Sequence, residues 1–226
     1  MSRPAVFAGP SLYGTDSLQR ADVEFLPPVR RGDLDRLLAR PAPPRVIGIV
    51  DGAFFQSLSV SPKEVLRAVD AGVTVYGSSS MGALRAVECA PYGMCGVGLI
   101  YQEYQSGRIM ADDEVAMTYD EETGRPLSEP LVNMRFAVAT AVAAGVAGEE
   151  LADRFLTLAK QRYFPERTVA LVLRDLAEDT APLRRFLAES APDTKRDDAL
   201  LLLDMVTSGR PPQVPAATLN WPPPAW

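Results

Sequence analysis

Histidine is absent from this chain of 226 residues. That excludes the Ser-His-Asp, Cys-His and His-ligated metal mechanisms together. Lysine is scarce, confined to Lys63, Lys160 and Lys195. Arginine carries the rest of the positive charge, and a guanidinium is a poor base near neutrality. Cys89 and Cys95 are too few for a disulfide framework and read as reduced, partly buried thiols. No apolar run reaches about 18 residues, so no membrane span is expected. The opening residues Met1 to Val6 carry no signal-peptide pattern, and the expectation is a soluble, cytoplasmic protein. Net charge is −6 and the basic residues are scattered rather than gathered into a stripe, which argues against nucleic-acid binding. There is no cysteine cluster and no nucleotide-binding glycine loop, so no cofactor and no metal are expected. Acid–base chemistry is left to a few carboxylates, the lysines and the two cysteines.

What is present suits a folded enzyme-sized domain. Hydrophobic residues make up 47% of the chain, enough for a core without disulfides. Ala5 to Ser11 reads as a short strand running into a turn. Val23 to Leu26 is a second apolar stretch, stopped by Pro27 and Pro28. A helix is expected over 33–40 with Asp33 as its cap. Arg45 to Asp51 is continuously apolar and β-branched, the pattern of a strand covered on both faces. Ser61-Pro62 opens a helix that closes at Gly72, and Val73 to Gly77 is the next strand. Strand, helix, strand over 45–77 is a βαβ unit with parallel strands. Residues 97–106 read as helical, 114–133 as a hairpin around Glu122 to Pro126, and the chain from Met134 as helices. The fold class is α/β, a mainly parallel sheet flanked by helices with a helical C-terminal part. The expected division is an α/β core over 1–145, a helical part over 146–210 and a proline-rich extended tail over 211–226.

Sites in open α/β sheets form at the carboxyl ends of strands. Two such ends are neighbours here: Asp51-Gly52, and the turn Ser78-Ser79-Ser80 that opens the helix from Met81. A serine on a sharp strand-to-helix turn has the geometry of a nucleophile elbow, with small residues two positions either side. Centring on Ser80 puts Ser78 and Gly82 there; centring on Ser79 puts Gly77 and the bulkier Met81 there. Ser80 is the better candidate. The N–H groups near Met81 and Gly82 would cradle an oxyanion. The same turn equally suits a helix cap or passive anion binding. Lys63 is the candidate base, because it stands in the first turn of a helix, where the dipole disfavours a second positive charge. The alternative is an ordinary solvated lysine beside Glu64. Asp112-Asp113-Glu114 suits helix capping or partner contact better than a cation, since consecutive side chains cannot all face one metal. Arg85 either pairs with Glu88 one turn on or orients an acidic substrate group.

These residues also carry a likeness. Pro27-Pro28 with Gly32-Asp33, Ile47 to Phe54, Lys63 to Leu66, Tyr76 to Ala86, Gly93-Met94 and Asp112 to Ala116 resemble, in order and spacing, the core of the TfuA-like family. The likeness covers about residues 5–135, and the serine-to-arginine stretch is its most specific part. The resemblance implies an accessory protein of YcaO enzymes in peptide backbone thioamidation. It implies hydrolysis of a thiocarboxylated, ThiS-like carrier by a Ser-Lys pair, with release of sulfide. The resemblance puts the serine at Ser79 or Ser80 and the lysine at Lys63. The implied partners are a YcaO enzyme, the carrier and a precursor peptide. The alternative of a different class is a non-catalytic adaptor that binds YcaO and its precursor peptide.

Overall fold

The computed structural model describes residues 2–54, 58–176 and 180–208. Among these, β1 (Ala5–Phe7), β2 (Glu24–Leu26), β3 (Val46–Ile49), β4 (Thr74–Ser78) and β5 (Cys95–Val97) form one parallel sheet in the order 2-1-3-4-5. The βαβ reading holds: β3 and β4 are parallel neighbours, with Ile47 opposite Val75 and Ile49 opposite Gly77. The helices are α1 (Asp33–Leu38), α2 (Pro62–Asp70), α3 (Met81–Cys89), α4 (Leu99–Gln105), α5 (Leu131–Ala143), α6 (Glu149–Gln161), α7 (Val169–Asp175), α8 (Ala181–Glu189) and α9 (Thr194–Ser208). The protein is α/β. Among the described residues no helix is long and apolar enough to cross a membrane.

Two compact units share the chain. The first runs to Met110 and also takes in α9 from Lys195; the second spans Ala111–Thr194. Compactness thus divides the chain differently from the expected boundary at 145/146. The apolar side chains of α9 are why: Ala199, Leu202, Leu203 and Val206 bury themselves with Val6 and Val97 of the sheet and with Val50 just after β3. Gly48 of β3 makes room for them, since a Cβ there would lie 2.7 Å from Leu202 Cδ2. A sheet with helices on its faces needs such a cover, because each strand has side chains on both sides. The second unit has its own core, in which Leu131, Met134 and Val138 of α5 meet Phe155 and Leu156 of α6, with Val172, Leu173 and Leu183. The expected proline-rich tail over 211–226 lies outside the described residues.

Local signals explain most element ends. Ser61 caps α2 in a full capping box with Glu64, and Pro62 takes the first turn. β2 stops at Leu26 before Pro27 and pairs only with β1, so the prolines interrupt an edge. Three expectations need correction. Gly32, not Asp33, is the cap of α1; its φ of 85° suits glycine, and Asp33 instead accepts the Arg30 N–H at 2.6 Å. Residues 114–133 form no hairpin ladder, only an isolated antiparallel bridge between Tyr119 and Pro126. The helix expected from residue 97 begins at Leu99, and the edge strand β5 precedes it. Its sequence, Cys95-Gly96-Val97, is too short and too glycine-rich to show a strand pattern.

Candidate functional site

The 2-1-3-4-5 order reverses direction between β1 and β3, and ligands in such sheets bind outside the strand ends at that reversal. Three strand ends converge there. After β3, Asp51 is buried at 2% exposure. Its carboxylate fixes the loop after β1: Oδ2 accepts the Gly9 and Ser11 N–H groups at 2.8 and 3.1 Å, and Oδ1 accepts the Ser11 hydroxyl at 2.7 Å. The Ser11 oxygen also lies 3.1 Å from Ser79 Oγ. Asp51 therefore anchors backbone and hydroxyl groups around the serine turn.

After β4 the chain turns into α3 within two residues. Among the described non-glycine residues Ser79 alone has a positive φ, 64°, which marks a sharp, strained reversal. Gly77 and Gly82 are required by close approach. A Cβ on Gly82 would sit 1.7 Å from the Ile49 carbonyl oxygen, and one on Gly77 would sit 2.2 Å from the Gly82 oxygen. Close approach therefore sets both small residues of the expected elbow. Its two halves fall on different serines, however: the strain on Ser79, the amine on Ser80.

That amine belongs to Lys195. Its Nζ donates to Ser80 Oγ at 3.1 Å, and both residues are buried, at 1% and 3% exposure. The backbone of the same lysine accepts the Ser79 hydroxyl at 2.8 Å. Three residues on, the Asp198 carbonyl accepts the Ser78 hydroxyl at 2.9 Å. All three serines thus face the first turn of α9.

Lys63 is elsewhere. It is exposed in the first turn of α2, while its neighbour Glu64 turns inward and binds the Ser61 and Gly32 N–H groups. Successive helical residues point about 100° apart, so an inward Glu64 sends Lys63 outward. Gly82 N–H is committed to the Val50 carbonyl at 3.2 Å. Of the two expected oxyanion donors, that leaves Met81 N–H, at the first position of α3. Arg85 donates to the Val60 carbonyl at 2.7 Å and pairs with Glu88 at 2.8 Å, which is the structural alternative.

Two of the three acids, Asp113 and Glu114, are taken up by ion pairs within the second unit. Glu114 takes a bidentate grip from Arg135, with both contacts at 2.8 Å, and Asp113 pairs with Lys160 and the buried Arg167. Burial pushes the Asp113 carboxyl up, but the hydrogen bonds from Lys160 and Arg167 outweigh it and hold the group below its ordinary value. No group of three or more Cys, Asp or Glu among the described residues could hold a metal ion. Cys89 is buried, which pushes its thiol up, and Cys95 is exposed.

Lys195, Ser11 and Asp198 are the site residues that sequence reasoning missed. Ser11 had a signal, because it lies on the turn after a strand. Lys195 had none, being 115 residues from Ser80.

A family model described as TfuA-like protein matches residues 51–168, a little over half of the chain. The chain belongs to the TfuA-like family. The matched span of this TfuA-like protein holds Asp51, Lys63 and the three serines, and ends before α9. No curated protein matches the chain.

Proposed function

We propose that this TfuA-like protein is a hydrolase of a thiocarboxylated sulfur carrier, with Ser80 as nucleophile and Lys195 as its base. The observation that carries the reading is the buried contact of 3.1 Å between Lys195 Nζ and Ser80 Oγ. A lysine can serve a serine only as the neutral amine, and removal from water disfavours the charged form. At 1% exposure Lys195 meets that condition far better than the solvent-facing Lys63.

In the first step the amine takes the Ser80 proton and Oγ attacks the thiocarboxylate carbon. Developing charge on the carbonyl oxygen is met by the Met81 N–H, since the residue after the nucleophile supplies that donor at an elbow. As the C–S bond breaks, the Lys195 ammonium gives its proton to the departing sulfur, so that hydrosulfide leaves, an acyl ester remains on Ser80 and the amine is neutral again. Water, deprotonated by the same amine, then cleaves the ester to a carboxylate and restores the hydroxyl. Ser80 is 3% exposed, so access suits the slender end of a chain rather than a folded surface. Asp51 and Ser11 hold the turn in place rather than react.

Membership of the TfuA-like family supports a setting in peptide thioamidation. There the sulfide would be handed to a YcaO enzyme that has activated a backbone amide, with the carrier as the transient partner. The test is sulfide release from a thiocarboxylated carrier by purified protein. Ser80→Ala and Lys195→Met should each lose it, whereas Lys63→Met should keep it. Retained release in both Ser80→Ala and Lys195→Met would remove the Ser80–Lys195 assignment, and a wild type that releases no sulfide would remove the hydrolase and leave the adaptor role.

A further inference from the structure

Lys195 meets Ser80 only while the first turn of α9 keeps its register, and a second residue of that turn fastens it. Asp198 stands three positions after Lys195, so the two share one stretch of helix. Its carboxylate is buried at 3% exposure and is held by backbone on both oxygens. Oδ1 accepts the Leu99 N–H and Oδ2 the Ile100 N–H, each at 2.8 Å. Its carbonyl accepts the Ser78 hydroxyl at 2.9 Å, as the Lys195 carbonyl accepts that of Ser79 at 2.8 Å. Gly98, with φ at 95°, makes the fit possible: a Cβ there would stand 2.2 Å from Asp198 Cγ.

We propose that Asp198 is a positioning residue whose carboxylate clamps the first turn of α9 to the backbone after β5 and so holds the Lys195 amine at Ser80. Two N–H groups on one buried carboxylate define both the height and the rotation of that turn, because each oxygen is fixed separately. The hydroxyls of Ser78 and Ser79 then secure it against the serine turn itself. Burial raises the Asp198 pKa to about 7, with Asp197 adding to the rise and the Ile100 and Leu99 N–H groups opposing it. Around it, β4 presents the Ser78 hydroxyl and α4 those two N–H groups, none of which titrates in this range. The clamp thus has its own titration near neutrality. Its consequence for catalysis rests on the Ser80–Lys195 reading, but the clamp can be observed without it.

The experiment uses the full chain labelled with 13C-lysine, which yields signals from only three residues, assigned through Lys63→Arg and Lys160→Arg. In wild type the Lys195 Cε signal should shift with pH around a midpoint near 7, following Asp198. Asp198→Asn keeps the shape but places an NH2 against one of the two N–H donors. It should move the Lys195 signal, abolish that inflection and leave Lys63 and Lys160 where they were. Unchanged position and pH profile of Lys195 in this variant overturn the proposal. If Asp198→Asn does not fold, Ser78→Ala removes one tie of the same turn. A displaced Lys195 signal then supports the clamp, and an undisturbed one overturns it. In the sulfide assay, Asp198→Asn should lower kcat on the order of 100-fold with KM kept, the scale of a misplacement of about 1 Å. Wild type that releases no sulfide counts against the hydrolase reading alone, because the lysine signal still decides the clamp.

Discussion

Lys160 and Lys195 are both lysines held against oxygen, and the two regions use them for different ends. Lys160, in the second unit, is 36% exposed and pairs with the Asp113 carboxylate at 2.6 Å. It belongs to a set of ion pairs with Arg167, Arg135 and Glu114 whose effect is to fix backbone segments. Lys195, in the first unit, is buried and its amine meets a serine hydroxyl at 3.1 Å. A carboxylate partner stabilises the ammonium, whereas in the proposed mechanism the Ser80 hydroxyl gives the buried amine a proton to accept. A lysine's role is read from its partners and exposure, not from its place in the first turn of a helix.

The comparison breaks most sharply on activity. Lys195→Met should reduce sulfide release by on the order of 100- to 10,000-fold, the usual range for loss of a general base. Lys160→Met and Lys63→Met should leave the rate near wild type. Loss of release in Lys63→Met with full release in Lys195→Met would reverse the assignment.

Stability should show the opposite ranking. Glu114→Gln leaves Arg135 buried with its charge uncompensated, and should cost about 3–5 kcal/mol in urea unfolding. Lys160→Met, at a half-exposed pair, should cost on the order of 1 kcal/mol or less.

The pH dependence separates the regions again. Asp198 is raised in the folded state, from an ordinary 3.8 to about 7, so the folded protein holds its proton more tightly than the unfolded chain does. By linkage its contribution to stability is fully present below about 4, and is lost as pH rises through about 7. Asp113 is lowered, so its contribution is present above its ordinary value and lost as pH falls through the folded value. Unfolding free energies at about pH 5 and about pH 8 should therefore differ less in Asp198→Asn than in wild type. An equal difference in both would contradict the raised group. A similarly small effect is expected beside Lys63: Ser61→Ala, which removes the cap of α2, should cost about 1 kcal/mol and leave activity intact.

Much of this was legible locally. The β-branched run Val46–Ile49, the Ser61-Pro62 start and the serine turn between β4 and α3 each have a short-range cause, and each stands where the pattern puts it. The strand ends at Asp51 and Ser78 followed from the parallel sheet. What could not be read was pairing at a distance. The apolar run Ala199–Leu203 is plainly helical, but nothing in its spacing tells that it covers the sheet of residues 5–97. Lys195 enters the site with it. Lys63 was singled out by the family likeness and by an argument about helix dipoles that holds for any lysine in a first turn; its exposure sets it apart from the buried Lys195. β5 escaped because three residues are too few for an alternation to show, and Asp33 because glycine at positive φ took the capping position.

In the proposed mechanism the acyl group of a thiocarboxylate passes through Ser80. The most direct measurement is intact and peptide mass spectrometry of the protein quenched in acid after brief mixing with a thiocarboxylated carrier. The account predicts a carrier-sized ester adduct on the peptide holding Ser80, absent in Ser80→Ala and in Lys195→Met, and formed with Ser79→Ala. An adduct that persists in Ser80→Ala and disappears in Ser79→Ala would move the nucleophile to the strained residue of the turn. Sulfide release at the wild-type rate from Ser80→Ala and Ser79→Ala alike would contradict covalent catalysis at this turn altogether.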